Sequence, residues 1–389
     1  MKIANRMEKL SPSVTMAITA MAREMKAQGK DILSFSAGEP DFDTPQVIKN
    51  AAIQAIQDGH TKYTAVEGTV ETKKAIINKL KKDHGLEYQM DEIIVSNGAK
   101  HSLFNLFQCL IEKGDEVIIP APYWVTYPEQ VKFSDGTPVF IETDDSTNFK
   151  ITAEQLKAAI TPNTRILLLN TPSNPTGGVY TKEELISLGE VLKGTDILVL
   201  SDEMYEKIMY DGLEFTAVAS ASDDMFQRTV TINGISKAVA MTGWRYGYIA
   251  TPNKQLVKTM IKLQGQVTSN VNSVTLQAAV TALDGSADAD IEMMRKEFEK
   301  RRDIVVEEFN AIKGLSCVVP HGAFYVFVNI KQINSDSIKF AADLLENEGV
   351  AVVPGLAFGT EGYFRFSFAT DEATIREGIS RIKRFVEGN

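Results

Sequence analysis

Residues 165–205, RILLLNTPSNPTGGVYTKEELISLGEVLKGTDILVLSDEMY, carry the strongest indication of the fold. They begin with the apolar run Arg165–Asn170 and end with a second run, Ile197–Ser201. Short, nearly continuous apolar runs are typical of strands in a parallel sheet that helices cover on both faces. Between the runs, Thr181 and Glu184 form a capping-box pattern, which predicts the start of a helix. The stretch therefore predicts a strand, a helix and a second strand of one α/β sheet.

The same alternation of apolar runs and helical stretches continues on both sides of this stretch. Five further strands are predicted at Ile93–Ser96, Val117–Pro120, Pro138–Glu142, Thr229–Asn233 and Tyr246–Ala250. We therefore expect an α/β fold with a mainly parallel, seven-stranded sheet flanked by helices.

The last third of the chain has a different pattern, in which a long charged helix at about Asp288–Ile312 precedes short strands and a terminal helix. The short strands are predicted at Ala323–Val328, Ala351–Val353 and Gly362–Phe368. We expect this third and the N-terminal segment to form a smaller α+β domain. The predicted divisions are 1–44 for an N-terminal arm and part of the small domain, 45–290 for the large domain that contains the sheet, and 291–389 for the C-terminal small domain.

The composition excludes several classes of function. The chain has 389 residues, about twice the length of an ordinary domain, and a net charge of -10. This charge argues against nucleic acid or an anionic membrane as the main partner. The sequence has neither a secretory signal nor an apolar run near the ~20 residues that span a bilayer. Cys109 and Cys317 are predicted to be buried thiols, and the histidines have no metal-ligand spacing. We therefore expect a reduced, cytoplasmic enzyme without a metal.

Polar turns follow four of the predicted strands, at the edge of the sheet where ligands bind in open α/β folds. The turns are Ser96–Lys100, Asn170–Gly178, Ser201–Tyr205 and Gly234–Lys237. Each turn also fits an ordinary structural role when it is taken alone. The first can be a simple strand-to-helix turn, the second a rigid loop, and Asp202 in the third a helix N-cap. Lys237 can be a lysine whose stem packs on apolar residues while its ammonium group reaches solvent.

The four turns together supply the groups that pyridoxal phosphate (PLP) requires. Lys237 lies in an apolar stretch, where burial depresses the pKa of a lysine and lets its amine form a Schiff base. Asp202 can keep the pyridine nitrogen protonated, and Asn174 and Tyr205 can donate hydrogen bonds to the ring oxygen. The phosphate is expected at a helix N-terminus, where free backbone N–H groups attract anions. The predicted phosphate ligands are Gly98, Ala99 and Lys100, assisted by Ser236 and Arg245.

The sequence resembles the class I, fold-type I PLP aminotransferases over essentially its whole length, in the subgroup that holds many bacterial aspartate aminotransferases. The matching stretches, in order, are SAGEPDFDTP, TKYTAVEGTVETKKAI, SNGAKHSLFN, PAPYWVTYP, NTPSNPTGG, SDEMY, GISKAVAMTGWRYGY, GAFYVF and YFRFSFA. Tyr246 is a departure, because the family usually has an aliphatic residue between the arginine and the glycine. The difference affects packing and leaves the assignment of Lys237 unchanged.

The resemblance implies further roles by position. Trp124 would stack on the cofactor ring, and Arg365 would bind the substrate α-carboxylate as a bidentate fork. The backbone of Gly38 and the amide of Asn174 would assist Arg365. Tyr63 would reach the cofactor phosphate of a neighbouring subunit, which implies a homodimer with shared active sites. Without the resemblance, Arg365 would fit a strand-edge surface position equally well.

Lys100 bears on the choice of substrate. In the aspartate-using members that the sequence resembles, the lysine of this G-x-K turn meets the distal carboxylate, and Ser13 and Thr15 match the segment that closes over such a substrate. The resemblance thus implies ping-pong transfer from aspartate to 2-oxoglutarate through a Schiff base on Lys237. Alternatively, Lys100 faces solvent and only favours the phosphate. Some relatives accept prephenate, a ring-bearing dicarboxylate, through similar contacts, and broad-specificity aromatic, alanine or kynurenine aminotransferases share the same skeleton.

Two other classes of protein would carry much the same residues. A PLP-dependent carbon–sulfur lyase or deaminating synthase has a similar site, because the orientation of the α-carbon bonds to the ring selects the reaction. A non-catalytic domain of this fold is usually fused to a DNA-binding segment, and the acidic charge disfavours it. We therefore expect an aminotransferase whose partners are small amino acids and 2-oxo acids.

Overall fold

The structure, a computed structural model, describes residues 1–388. The strands are β1 Leu33–Ser34, β2 Ile93–Ser96, β3 Glu116–Ala121, β4 Thr137–Glu142, β5 Thr164–Asn170, β6 Leu198–Asp202, β7 Thr229–Gly234, β8 Gly247–Ala250, β9 Ser316–Cys317, β10 Tyr325–Asn329, β11 Val350–Ala351, β12 Val353–Pro354 and β13 Tyr363–Ser367. The α-helices are α1 Val14–Ala27, α2 Gln46–Gln57, α3 Val70–His84, α4 Ala99–Leu110, α5 Thr126–Phe133, α6 Ala153–Ala159, α7 Lys182–Leu192, α8 Asp223–Arg228, α9 Lys254–Val267, α10 Ser273–Leu283, α11 Asp288–Asn310, α12 Ser337–Glu348 and α13 Glu372–Glu387.

The predicted seven-stranded sheet is confirmed, with the strand order β2-β8-β7-β6-β5-β3-β4. Strand β8 pairs antiparallel with β2 and β7, and the other neighbours pair parallel. Consequently the carboxyl ends of β2, β5, β6 and β7 lie at the same edge of the sheet. The turns that the sequence singles out follow these four strands.

The predicted helix start at Thr181 is also confirmed. The Thr181 hydroxyl accepts a hydrogen bond from the Glu184 N–H, and the Glu184 carboxylate accepts one from the Thr181 N–H. This reciprocal pair satisfies two N–H groups that a helix start would otherwise leave free. Helix α7 then buries Leu185, Leu188 and Leu192 against the sheet core.

The N-terminal segment and the last third of the chain are joined by backbone pairing. Strand β1 pairs parallel with β11, and a separate four-stranded sheet has the order β12-β13-β10-β9. The single strand predicted at Ala351–Val353 is therefore wrong, because Val352 separates two short strands that belong to different sheets. The divisions at residues 44 and 290 remain predictions, although residue 290 lies in the first turn of α11.

One apolar core runs through both parts of the fold. The largest hydrophobic cluster includes Leu168 and Leu200 of the large sheet together with Val326 and Phe366 of the four-stranded sheet. This shared core packs the four-stranded sheet and its helices, called the second layer below, against the carboxyl edge of the large sheet. Within residues 1–388, no helix is both long and apolar enough to cross a membrane.

The two cysteines are free, as expected, but each is only partly buried, which corrects the prediction of buried thiols. Both pack against the main hydrophobic cluster. Burial nevertheless raises the pKa of the Cys109 thiol, and it raises the pKa of Cys317 to about 12. Thiols with raised pKa values carry little thiolate at neutral pH, so neither cysteine is a good nucleophile.

Helix α13 holds the N-terminal segment in place through Phe35. The Phe35 ring stacks on Phe366 with its centroid 4.1 Å away, and a Cβ atom at Gly378 of α13 would overlap the Phe35 ring. The absence of a side chain at Gly378 therefore lets the helix approach the segment that leads to Ser36 and Gly38.

We predict that Gly378→Ala lowers the free energy of unfolding by about 1–3 kcal/mol, because the added methyl group overpacks a dense core. The matched control is Gly265→Ala in α9, where the nearest atom to an added Cβ is 3.8 Å away. That change is expected to stabilise by about 0.5–1 kcal/mol, since alanine favours a helix over glycine. Denaturant unfolding of both variants measures the effects, and a Gly378→Ala protein as stable as the control would contradict the packing argument.

Candidate active site

The polar turns and the second layer enclose a cavity of about 310 Å³ at the carboxyl edge of the large sheet. Most of the residues singled out in the sequence line it, namely Ser13, Thr15, Gly38, Ala99, Lys100, Trp124, Asn174, Asp202, Tyr205, Ser236, Lys237, Arg245 and Arg365. Two of the predicted site residues do not line it. Gly98 packs directly against the Arg245 guanidinium, and Tyr63 is 90% exposed on the surface. The structure therefore brings together side chains from positions 13 to 365.

Lys237 lies three residues beyond the end of β7 and points its amine into the cavity. Its Nζ donates a hydrogen bond to the carbonyl oxygen of Gly38, and the rings of Tyr205 and Phe324 lie 5.9 Å from it. Burial lowers the pKa of Lys237 to about 8, although the charge of Glu39 opposes this shift. A substantial fraction of the amine is thus neutral near physiological pH, and a neutral amine is the nucleophilic form.

Asp202 ends β6 and is buried on the floor of the cavity. Its Oδ2 accepts a 2.7 Å hydrogen bond from the Tyr127 hydroxyl, and its Oδ1 accepts one from the Met204 N–H at 3.3 Å. Burial raises the pKa of Asp202 to about 6, and the Tyr127 hydrogen bond opposes that rise. The carboxyl group is therefore mostly ionised at pH 7 and can pair with a cationic group.

Arg365 is carried by β13 and is 3% exposed. Its Nη1 donates to Asn174 Oδ1 at 2.9 Å and its Nη2 to the Ser36 carbonyl at 2.7 Å. Its Nε has no hydrogen-bond partner among the described residues. A guanidinium has five N–H donors, so several of them are available to a carboxylate in the cavity. Asn174 meets Arg365 with its oxygen, which leaves the amide NH₂ group as the part that can donate elsewhere.

The turn between β2 and α4 forms another part of the cavity wall. Gly98 has a φ of +88°, and a Cβ atom there would overlap the Arg245 guanidinium. The first N–H groups of α4, at Ala99 and Lys100, have no acceptor within the helix, so an anion can bind them. Ser236 is buried beside the cavity, and Arg245, although exposed, adds a positive charge to its wall.

Lys100 and Trp124 lie next to each other in the wall of the cavity. The Lys100 Nζ lies 4.9 Å from the centre of the Trp124 ring, and the start of α1 adds Ser13 and Thr15 to the same wall. The Lys100 side chain is exposed overall, but desolvation of its ammonium group and then the charge of Arg245 lower its pKa. No carboxylate among the described residues forms an ion pair with Lys100, so its ammonium group is free to face a negatively charged group in the cavity.

Two buried tyrosines of the site were not predicted from the sequence. Tyr127 bonds to Asp202, and the Tyr325 hydroxyl lies 2.9 Å from that of Tyr205. Both tyrosines lie in the matching stretches PAPYWVTYP and GAFYVF. Periodicity gives no reason to separate them from ordinary core aromatics, so only their place in those stretches offered a signal.

One cluster with metal-ligand types lies outside the cavity, at Asp83, His84 and Glu206. Glu206 is already engaged, because Lys79 donates to its Oε1 and His84 Nε2 lies 2.6 Å from its Oε2. The lysine ammonium supplies the positive charge that a cation would otherwise bring. The cluster therefore gives no support to a metal site.

The side chains of the cavity together allow a defined set of reactions and binding interactions. A neutral amine can add to a carbonyl carbon, an ionised buried carboxylate can hold a cation, and a buried guanidinium can bind a carboxylate. An anion site at a helix N-terminus completes the cavity. Fold and cavity together define an enzyme that joins amine chemistry to the recognition of small anionic substrates.

Comparison with known proteins agrees with this class. The family described as aminotransferase class I and II matches residues 30–382. An aspartate aminotransferase of Bacillus subtilis is 48% identical, over 100% of this chain and 99% of that protein. An aspartate/prephenate aminotransferase of Nitrosomonas europaea is also 48% identical, over 98% of this chain and 99% of that protein. The crystal structure of the aspartate aminotransferase from Rhizobium meliloti matches with a TM-score of 0.96 at 45% identity, covering 100% of this chain and 99% of that one. The chain belongs to the class I and II aminotransferase family.

We predict that a reagent specific for neutral amines labels Lys237 of the cofactor-free protein with a midpoint near pH 8, where the amine loses its proton. Above that pH the amine is neutral and reactive, and below it the ammonium form is protected. Mass spectrometry of the Lys237 peptide measures the pH dependence, and Lys237→Arg provides the background. A midpoint near the ordinary value of 10.5 would contradict the effect of burial.

Proposed function

We propose that this aminotransferase holds PLP on Lys237 and moves the amino group of aspartate to 2-oxoglutarate. The observation that carries the proposal is the meeting of three groups in one cavity: the Lys237 amine, the Asp202 carboxylate and the Arg365 guanidinium. The first two fit the cofactor, and the third fits the α-carboxylate that all its amino acid substrates share.

The residues of the cavity fit PLP at each of its polar groups. Asp202 is buried and ionised, as a partner for a protonated ring nitrogen must be. The Asn174 amide and the Tyr205 hydroxyl can donate to the ring oxygen. The start of α4, with Ser236 and Arg245, supplies an anion site for the phosphate. When bound, PLP supplies an electron sink that stabilises negative charge at the substrate α-carbon.

The chain's own groups would position the substrate and move one proton. The free N–H donors of Arg365 bind the α-carboxylate and so fix the α-carbon in the cavity. The Lys237 Nζ would take the proton from that carbon as a general base and, as a general acid, would deliver it to the C4′ carbon of the bound cofactor. A pKa of about 8 suits both steps, because the two protonation states are then accessible near neutral pH.

Support for aspartate comes from Lys100 and from the relatives. The Lys100 ammonium lies beside Trp124 in the wall of the cavity, where it can meet a second carboxylate. The Bacillus subtilis relative is named an aspartate aminotransferase, and the Nitrosomonas europaea relative is named an aspartate/prephenate aminotransferase. Prephenate, which also carries two carboxylates, is therefore the second candidate substrate.

The proposal includes a homodimer in which Tyr63 serves the neighbouring site. Its side chain is 90% exposed, and α2 exposes the apolar Ile53 and Ile56 by 52% and 58%. Exposed apolar residues that lie one turn apart on a helix, as these two do, can form part of an interface.

Mixed dimers test whether the two subunits share their active sites. A dimer of one Lys237→Ala subunit and one Tyr63→Ala subunit keeps one intact site, which combines Lys237 of the second subunit with Tyr63 of the first. Recovery of cofactor binding on mixing is expected, and mixtures that bind only the average of the two parents would contradict a shared site.

The reaction type is tested in a half-reaction without a 2-oxo acid acceptor. We expect the PLP-loaded enzyme and excess aspartate to give one equivalent of oxaloacetate per site and then stop, because the amino group stays on the cofactor. Quantifying oxaloacetate, pyruvate and ammonia checks the prediction. Continuous release of ammonia or pyruvate would instead indicate a lyase or a deaminating enzyme, and Lys237→Ala should show no turnover of either kind.

The substrate is tested by Lys100→Ala. We expect kcat/KM to fall about 10- to 100-fold for aspartate and glutamate, because a charge-assisted hydrogen bond is lost. Alanine, which lacks a second carboxylate, provides the matched control in the same variant and should change little. Equal losses for all three amino acids would mean that Lys100 acts on the phosphate side and does not select the substrate.

A further inference from the structure

Tyr325 lines the cavity together with Tyr205 and Arg365. It lies on β10 and is fully buried. Its hydroxyl oxygen is 2.9 Å from the hydroxyl oxygen of Tyr205, and the two rings meet edge to face with centroids 5.8 Å apart. Tyr325 thus contacts Tyr205, the side chain proposed to donate a hydrogen bond to the ring oxygen of PLP.

The same ring supports the carboxylate-binding arginine. The Arg365 guanidinium carbon lies 4.4 Å from the centre of the Tyr325 ring, and Tyr325 is two residues from Phe327, the pairing partner of Arg365 in the neighbouring strand. A desolvated guanidinium over an aromatic face is attracted by the ring quadrupole. Because burial lowers the pKa of Arg365, this attraction compensates part of the lost hydration.

The Tyr325 hydroxyl also fills the space beneath Gly38. A Cβ atom at Gly38 would lie 3.0 Å from that hydroxyl oxygen, a tight contact that the glycine avoids. The carbonyl of Gly38 in turn accepts the hydrogen bond of the Lys237 amine. One buried side chain therefore lies against three elements of the site.

We propose that Tyr325 is a positioning residue with two separable functions, its hydroxyl orienting Tyr205 towards the cofactor and its ring holding Arg365 for the substrate carboxylate. The inference rests on the proposed function, since Tyr205 and Arg365 act there on PLP and substrate. It adds a residue that couples the two halves of the cavity through direct contact.

The number of hydroxyl hydrogens determines which tyrosine donates the hydrogen bond between Tyr325 and Tyr205. A phenol has one hydrogen to donate and lone pairs with which to accept. Burial raises the pKa of both tyrosines, so both keep their hydrogens at neutral pH. If Tyr205 donates into the cavity, Tyr325 must donate to Tyr205. Such a chain strengthens the outer hydrogen bond, because each donor polarises the next.

Tyr325→Phe removes the hydroxyl and retains the ring. We expect the dissociation constant of PLP, measured by titrating the cofactor-free protein, to rise about two- to tenfold, the effect of one hydrogen bond. The dissociation constant of maleate, an unreactive dicarboxylate, should change less than twofold in the loaded protein. Tyr325→Leu removes the ring as well, so maleate binding should also weaken, by about two- to thirtyfold.

Tyr248→Phe is the matched control, because it removes another fully buried hydroxyl, one without a hydrogen-bond partner in the described chain. It should leave both dissociation constants unchanged, and thermal unfolding of every cofactor-free variant reports any general loss of structure. The proposal of two functions is wrong if Tyr325→Phe binds PLP as tightly as the wild type does. It is also wrong if Tyr325→Phe weakens maleate binding as much as Tyr325→Leu does. Wild-type protein that fails to bind PLP would contradict the proposed function itself, and this role with it.

Discussion

The site depends on keeping the amine of Lys237 away from water. An ammonium group loses hydration when it is buried, and no carboxylate among the described residues lies within ion-pair distance of Lys237, so the charges of Glu39 and Asp202 offset only part of that loss. The amine instead donates to a neutral backbone carbonyl, that of Gly38. The resulting low pKa makes the amine both a nucleophile and a base, and these are the two properties that an aminotransferase requires of its lysine.

The fold produces this environment by combining two layers. Parallel strands bring the turns that carry Asp202 and Lys237 to one edge of the large sheet. The pairing of β1 with β11 then brings the N-terminal segment across that edge. The N–H of Ser367 donates to the carbonyl of Phe35 at 3.0 Å, which places the Ser36 carbonyl on Arg365 and Gly38 beside Lys237. The second layer thus both closes the cavity and supplies its substrate-binding arginine.

Local patterns predicted much of the fold and part of the site. The capping box at Thr181 and the apolar runs depend on neighbours within a few residues, so the sequence indicates them directly. The hydrogen bond of Tyr127 to Asp202 spans 75 residues and that of Tyr205 to Tyr325 spans 120, so no local pattern predicted either. The division between β11 and β12 was missed for the same reason, because the partner strands lie far away in the sequence. The role of Tyr63 stays a prediction, since its expected contact lies in a second subunit.

The most direct test of the account locates the covalent link to the cofactor. The protein is loaded with PLP, reduced with borohydride, digested with a protease, and the modified peptide is identified by mass spectrometry. We predict one modified residue, Lys237, because its amine has a pKa of about 8 and lies in the cavity with Asp202 and Arg365. A label on Lys100 or on any other lysine, or no stable label at all, would contradict the central claim.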